Sequence, residues 1–403
     1  MLEKLSQCLH CKNAKCTEAC PVHTPIGEVI TMIQNNDEQH AKEVLFQNNP
    51  MSAVCAWICD HKGQCYGHCI RGIKSVSVPF FEAEKEYSGS YLKELHLSAP
   101  ALPKKRAAVI GAGPAGITCA VLLTMNNIEV TMFESGPEIG GVLANGIPSF
   151  RLPKDLLKDY KRILDEAGVA IKYNVTVGKT VTVSKLKEDY DALFIMCGAP
   201  LPNTLRIPGE NMGHVHYAID YLKSPESYHL GHHVITLGAG NVAMDAARTL
   251  ARTGHHSEIY YRKSFNEMKA NVDEIEDTKK DGVTFTLFES PVEIKKDGIV
   301  FCKSENVTDE RGRIVTKILY GTEHFVPCDA VIVAVSQLVD SQIYNNTGIE
   351  LNKWNTPETD EFGRTNLPFV YAAGDGVTGP KTVAEAVQGA KLTVQAFLQD
   401  IEE

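Results

Sequence analysis

Eight of the twelve cysteines lie between Cys8 and Cys69, an uneven crowding that favours metal ligands over a disulfide framework. Cys8, Cys11, Cys16 and Cys20 are spaced C-x2-C-x4-C-x3-C, with Pro21 immediately after. Cys55, Cys59, Cys65 and Cys69 follow as C-x3-C-x5-C-x3-C. Zinc takes thiolate sets too, but it usually appears with paired C-x2-C knuckles. A fourth cysteine followed by proline is typical of 4Fe-4S runs, in which that cysteine can ligate the other cluster. The spacing predicts iron-sulfur ligation, with zinc as the competing metal. Cys119, Cys197, Cys302 and Cys328 stand in apolar surroundings and read as small buried hydrophobes.

Three further patterns point to nucleotides. Gly111, Gly113 and Gly116 form G-x-G-x-x-G between the apolar run AAVI and an apolar helix. In that order the glycines turn the chain, admit a pyrophosphate to the backbone and let helix and strand pack closely. Glu134 ends the next strand, where a carboxylate accepts hydrogen bonds from a ribose. Ala112, Gly113, Pro114, Ala115 and Gly116 are the expected cradle, with Glu134 and Gly141 beside it. Near the far end, Gly374-Asp375 precedes Thr382, Val383 and a helix whose N-terminus suits the negative charge of a reduced flavin ring. Asp375 is expected to hold the ribityl or pyrophosphate part. These features predict FAD, while a plain capped helix start is the simpler explanation of Gly374-Asp375 alone.

The second glycine pattern is Gly238, Gly240 and Ala243, with Ala239, Asn241 and Val242 completing the loop. Its following strand ends in Arg262 and Lys263 instead of an acid, and Lys269 joins them. Cations there favour a 2′-phosphate, hence NADPH, with NADH as the alternative. A solvated basic face is the competing explanation. No C-x2-C or C-x4-C pair follows the Gly140-Gly141 turn, so electrons must leave the flavin by a route other than a neighbouring disulfide.

These residues need elements to position them. Thr24 and Pro25 read as a cap and a first-turn proline, and Ile26, Val29, Ile30 and Ile33 repeat at helical spacing. A small helical domain is expected over residues 1–85 and a Ser/Gly/Pro-containing linker over 86–105. From Ala107, short apolar strands alternate with helices, which is α/β architecture. The expected arrangement is an FAD domain of residues 106–214 and 341–403, interrupted by an NAD(P)H domain of 215–340. Both are Rossmann-like.

The composition, 43% apolar and 22% charged, is that of a globular protein. A net charge of −10 disfavours nucleic acid and anionic membrane as partners. The first residues do not read as a signal peptide and no apolar run reaches membrane-spanning length, so the expected location is the cytoplasm.

Together, CLHCKNAKCTEACP, GAGPAG, GIPSFRLPK, GAGNVAMD, RKSFNEMK and AAGD resemble the glutamate synthase small subunit, the N-terminal half of dihydropyrimidine dehydrogenase and the large subunit of ferredoxin:NADP oxidoreductase. The resemblance covers nearly the whole chain. It implies two 4Fe-4S clusters with crossed ligands: Cys8, Cys11, Cys16 and Cys69 for one, Cys20, Cys59 and Cys65 for the other. The eighth ligand in such proteins is a Gln or Glu, and aligning VSVPFFE puts Glu82 there, leaving Cys55 as a bystander. Arg262, Lys263 and Lys269 match positions that hold the NADPH 2′-phosphate, Ser336 matches a serine near the nicotinamide ribose, and Arg151 matches an FAD-contacting arginine.

Two departures stand out: CAWICDHKGQC lacks the usual proline after its second cysteine, and VAVSQ replaces the commoner Ala-(Ile/Val)-Gly-Gln. The implied activity is electron entry, from NAD(P)H through FAD to the clusters. Positioning does most of this work, so no catalytic residue is assigned. A separate catalytic or electron-accepting subunit, or ferredoxin, is the expected partner, with a glutamate synthase small subunit foremost. A zinc-binding nucleotide sensor without turnover is the rival of a different class.

Overall fold

The computed structural model describes residues 1–310 and 312–402; Arg311 and Glu403, which fall inside the expected 215–340 and 341–403 segments, lie outside the described residues. The chain forms two compact units. One comprises Met1–Ala144, Ser149–Pro200 and Leu338–Glu403, the other Asn145–Pro148 and Leu201–Gln337.

The first unit begins with short helices around a core of Leu5, Val29, Ile30, Ile33, Leu45 and Phe80, against which Cys8, Cys16, Cys65 and Cys69 pack. The helix Ile26–Gln34 starts as its apolar spacing predicts, but its cap differs. Pro25 itself occupies the N-cap position, and the buried Thr24 hydroxyl lies 3.4 Å from Cys20 Sγ. That hydroxyl serves a thiol instead of a helix end.

The expected linker is also shorter than its composition suggests. Phe80–Glu94 is one continuous helix, with Tyr87, Ser88 and Leu92 buried, because its apolar face outweighs the weak propensities of Ser88, Gly89 and Ser90. Arg162 closes the end of this helix by donating to Leu92 O at 2.7 Å and Leu95 O at 2.8 Å.

The same unit contains a parallel sheet in the order Val370–Ala372, Ala192–Ile195, Lys105–Ile110, Ile128–Phe133, Ala170–Lys172. Its central strands are near-continuous apolar runs, as a sheet covered on both faces requires. Val370–Ala372 belongs to this sheet, so the end of the chain returns to complete the first nucleotide fold. The final helix, Val383–Asp400, opens on a capping box between Thr382 and Glu385.

The second unit has its own parallel sheet, ordered Val215–Tyr217, Ala330–Val333, His233–Leu237, His256–Tyr261, Thr284–Leu287. An antiparallel group built on Gly298–Thr308 packs beside it. The boundary expected after residue 214 falls after residue 200. Leu205 and Ile207 pack against the core of Ile235, Leu237 and Ile294, and the Asn203 amide group donates to Val335 O at 3.2 Å, which draws this stretch into the second unit.

Candidate functional site

In the first unit Gly111 has φ 100°, and a Cβ there would meet Met196 O at 2.5 Å. A Cβ on Gly116 would come within 1.9 Å of Gly111 O, so helix and strand pack as closely as the fingerprint requires. Gly113, by contrast, faces open space at its missing Cβ. The loop is thus tight where it turns and clear where a phosphate would approach. Glu134 braces it, accepting from Ala112 N at 2.8 Å and Gly136 N at 2.7 Å.

Gly141, at φ 52°, comes so near that its Cβ would lie 3.1 Å from Gly113 Cα. Gly374 closes in from the chain end, with a virtual Cβ 3.3 Å from Ala115. Asp375 is pushed up to about 6 by burial and accepts from Lys381 N at 3.1 Å. Thr382 is committed to capping, while Val383 heads the helix. Arg151 is almost fully buried in this unit. Gly113, Gly141, Ala115 and Gly374 are thus brought together around one strand-to-helix turn.

The second unit repeats the glycine geometry. A Cβ on Gly238, at φ 136°, would meet Ala334 O at 2.2 Å, whereas Gly240 is open. Asn241 exchanges hydrogen bonds with Asn271, and Ala239 O accepts from both Lys269 N and Ala270 N at 3.1 Å. Lys269 is thereby brought to the glycine loop. Arg262 and Lys269 are exposed, and among the described residues neither has a carboxylate ion pair. Lys263 differs from them: its ammonium lies 3.6 Å from Glu267.

Ser336 sits at φ 84°, in the left-handed region that favours glycine, which accounts for the glycine usual in this motif. Ser336→Gly is expected to stabilise the chain by about 1 kcal/mol by relieving that strain. A rise in the denaturant midpoint, with an unchanged slope, checks it.

The cysteines gather into two cavities. Cys8, Cys11, Cys16 and Cys69 line one. Cys20, Cys59 and Cys65 line the other together with Cys55, Asn49 and Glu84. The crossed grouping arises because Cys69, the last cysteine of the second run, folds back onto the first run. Burial pushes the thiols of Cys8, Cys16, Cys20 and Cys65 up, and for Cys8 and Cys16 neighbouring thiols add to the rise. Cys59 is raised first by its contact with the Cys55 thiol and then by burial. Thiols packed this way become thiolates only when a cationic centre compensates them. Asn49 Nδ2, buried with no hydrogen-bond partner among the described residues, supplies a donor at the second cavity's wall. This donor set fits an iron-sulfur cluster.

Glu82, the carboxylate expected at this cavity, lies elsewhere. Its side chain is 41% exposed and pairs with Lys4 at 2.8 Å. Glu84 lines the cavity instead, buried, with Ser52 Oγ donating to it at 2.7 Å and its carboxyl pushed up to about 7 by desolvation. The helix accounts for the difference: Phe80, Ala83, Glu84 and Tyr87 share its buried face, and Glu82 does not. That periodicity was available in the sequence. Ala384 was also missed; it lines the same cavity, one residue beyond Val383.

Two nucleotide-type sheets, each opening on a glycine loop, with clustered thiols ahead of them, are the architecture of a dinucleotide-binding oxidoreductase. The chain belongs to the pyridine nucleotide-disulphide oxidoreductase family, whose model matches residues 105–390. Residues 1–90 match dihydropyrimidine dehydrogenase domain II, 4Fe-4S cluster. The NADPH-Fe(3+) oxidoreductase subunit beta of Geobacter sulfurreducens is 32% identical over 97% of this chain, and the chain spans 64% of that relative's length. The NADPH glutamate synthase small chain of Halomonas elongata is 30% identical over 94% of this chain and 86% of its own; that of Escherichia coli is 29% identical over 98% and 90%. Among solved structures, Mycobacterium tuberculosis FprA in complex with NADPH shares the fold, with a TM-score of 0.64 and 21% identity over 74% of this chain and 85% of that one. No described helix is long and apolar enough to cross a membrane.

Proposed function

We propose that the chain is the electron-entry subunit of an NADPH-dependent oxidoreductase and carries FAD and two 4Fe-4S clusters. FAD, held by the loop of Gly111, Gly113 and Gly116, would supply hydride acceptance from NADPH and one-electron release to iron-sulfur centres. The chain's own residues bind and orient. Gly113 and Val383 admit the flavin nucleotide to backbone amides, and Glu134 braces the loop. Gly240, Arg262 and Lys269 receive the reduced nicotinamide dinucleotide, and Ser336 lies at its nicotinamide end.

The observation that carries this reading is the start of helix Val383–Asp400. Thr382 and Val383, at the N-terminus of this helix, are assigned here to the flavin, while Ala384 lines the cavity of Cys20, Cys59 and Cys65. Two residues of helix, about 3 Å of rise, separate Thr382 from Ala384. Lys391, further along, donates to Asn48 Oδ1 at 3.0 Å and ties this helix to the cysteine-bearing segment. A flavin and a cluster share this one element, which suits electron exit without a disulfide.

Within this reading we assign the chain as a glutamate synthase small subunit. The small chains of Halomonas elongata and Escherichia coli, matched over 94% and 98% of this chain, support that choice. The test is anaerobic purification from the native host: a large glutamine-dependent subunit should co-purify, and NADPH should then drive glutamate formation from 2-oxoglutarate. A different co-purifying acceptor would reassign the chain within the same family.

We assign Glu84 as the eighth ligand. Glu84→Ala is expected to lower the iron content by about four atoms per chain. Glu82→Ala should keep all the iron and cost no more than about 1 kcal/mol, the range of an exposed ion pair. Iron analysis of Cys55→Ala separates the remaining candidate: a loss of four irons there would shift the ligand to Cys55.

A further inference from the structure

Five of the fourteen histidines stand in two short stretches, 229–233 and 255–256, far along the chain from the cysteines. Strands His233–Leu237 and His256–Tyr261 are parallel neighbours, with His233 opposite His256 and Ile235 opposite Glu258. Side chains alternate along a strand, so His256 and Glu258 share a face and His233 joins them there. The geometry is close. His233 Nε2 lies 2.7 Å from Glu258 Oε2, the rings of His233 and His256 are 4.7 Å apart, and one ligand atom from each residue falls within 4.8 Å of the others.

The surroundings hold these groups in place. Thr284 donates to Glu258 Oε1 at 3.0 Å, the outer-shell bond that orients a carboxylate ligand. Asp329 accepts the amides of His232 and His233, each at 2.8 Å, which fixes the backbone that carries His233. Gly231, at φ 78°, lets that backbone press against Asp329, where a Cβ would come within 2.5 Å. His233 and Glu258 are largely shielded from solvent, whereas His256 is exposed.

We propose that His233, His256 and Glu258 bind one divalent transition-metal ion of the zinc class. Two imidazoles and one carboxylate are a donor set zinc takes, whereas magnesium and calcium favour oxygen-only sites. Coordination by His233 displaces the proton it shares with Glu258. The exposed side of His256 leaves the remaining position to water. Five residues of strand, roughly 16 Å, separate His233 from the glycine loop at Gly238. The ion therefore fastens two strands at the far end of the nucleotide sheet and takes no part in hydride transfer.

The flavin-loaded and cluster-loaded protein, treated with a chelator and desalted, would be titrated anaerobically with zinc chloride against a chromophoric zinc indicator. One equivalent should bind. Thr284→Val should weaken it by about 10-fold, and His256→Gln by at least about 100-fold, since losing a ligand costs more than losing an outer-shell bond. Both positions are exposed, so NADPH-dependent flavin reduction serves as the folding control and should be unchanged. No stoichiometric zinc on the wild type, or binding that survives both His256→Gln and Glu258→Gln, would overturn the site and leave a surface ion pair.

Discussion

Cys16→Ser is expected to lower the iron content from about eight to about four atoms per chain and to abolish electron delivery to an external acceptor, while NADPH still reduces the flavin. Cys16 lines the cavity shared with Cys8, Cys11 and Cys69, so its loss leaves that centre one thiolate short. A serine hydroxyl does not replace a thiolate for a soft metal. The substitution changes one partly buried atom at the edge of the helical core and touches neither Gly113 nor Glu134. Flavin content and the rate of flavin bleaching by NADPH should therefore match the wild type. Loss of flavin from Cys16→Ser would instead assign the N-terminal segment a mainly structural role.

The second large effect is expected at the dinucleotide's phosphate. Arg262→Ala should weaken NADPH by about 10-fold to 100-fold, the worth of one or two charge-assisted hydrogen bonds, and leave NADH nearly unchanged. Lys263→Ala alone should do less, because Glu267 already engages that ammonium at 3.6 Å. The pair Arg262→Ala with Lys263→Ala should exceed either single change. Dissociation constants from the concentration dependence of flavin reduction, measured with both nucleotides, decide the matter. Equal losses for NADPH and NADH would show that these cations do not read the 2′-phosphate.

Much of this architecture was legible because strong local constraints converge. The glycines at 111, 113 and 116 need a strand before them and a helix after them, and the structure supplies both. Apolar runs such as Ala107–Ile110 and Ala330–Val333 are buried throughout, which leaves a parallel sheet as the economical reading. The grouping of cysteines across the two runs came from family resemblance, since spacing alone does not say which thiol folds back onto which.

In the linker, tertiary packing overrode local composition. Ser88, Gly89 and Ser90 look like linker residues, yet Tyr87 and Leu92 anchor them in a helix. Placing a ligand by alignment of VSVPFFE chose Glu82, whereas helical periodicity from Phe80 places Glu84 on the buried face. Ala384 carries no chemical group and could be recognised only once the cavity it lines had formed.

The most direct test of electron entry is a metal and flavin analysis of the anaerobically purified chain, followed by its reaction with NADPH. About eight irons and one FAD per chain are expected, with NADPH bleaching first the flavin and then the iron-sulfur absorbance. Zinc in place of iron, or a flavin that is reduced while the clusters remain oxidised at equilibrium with excess NADPH, would contradict the account.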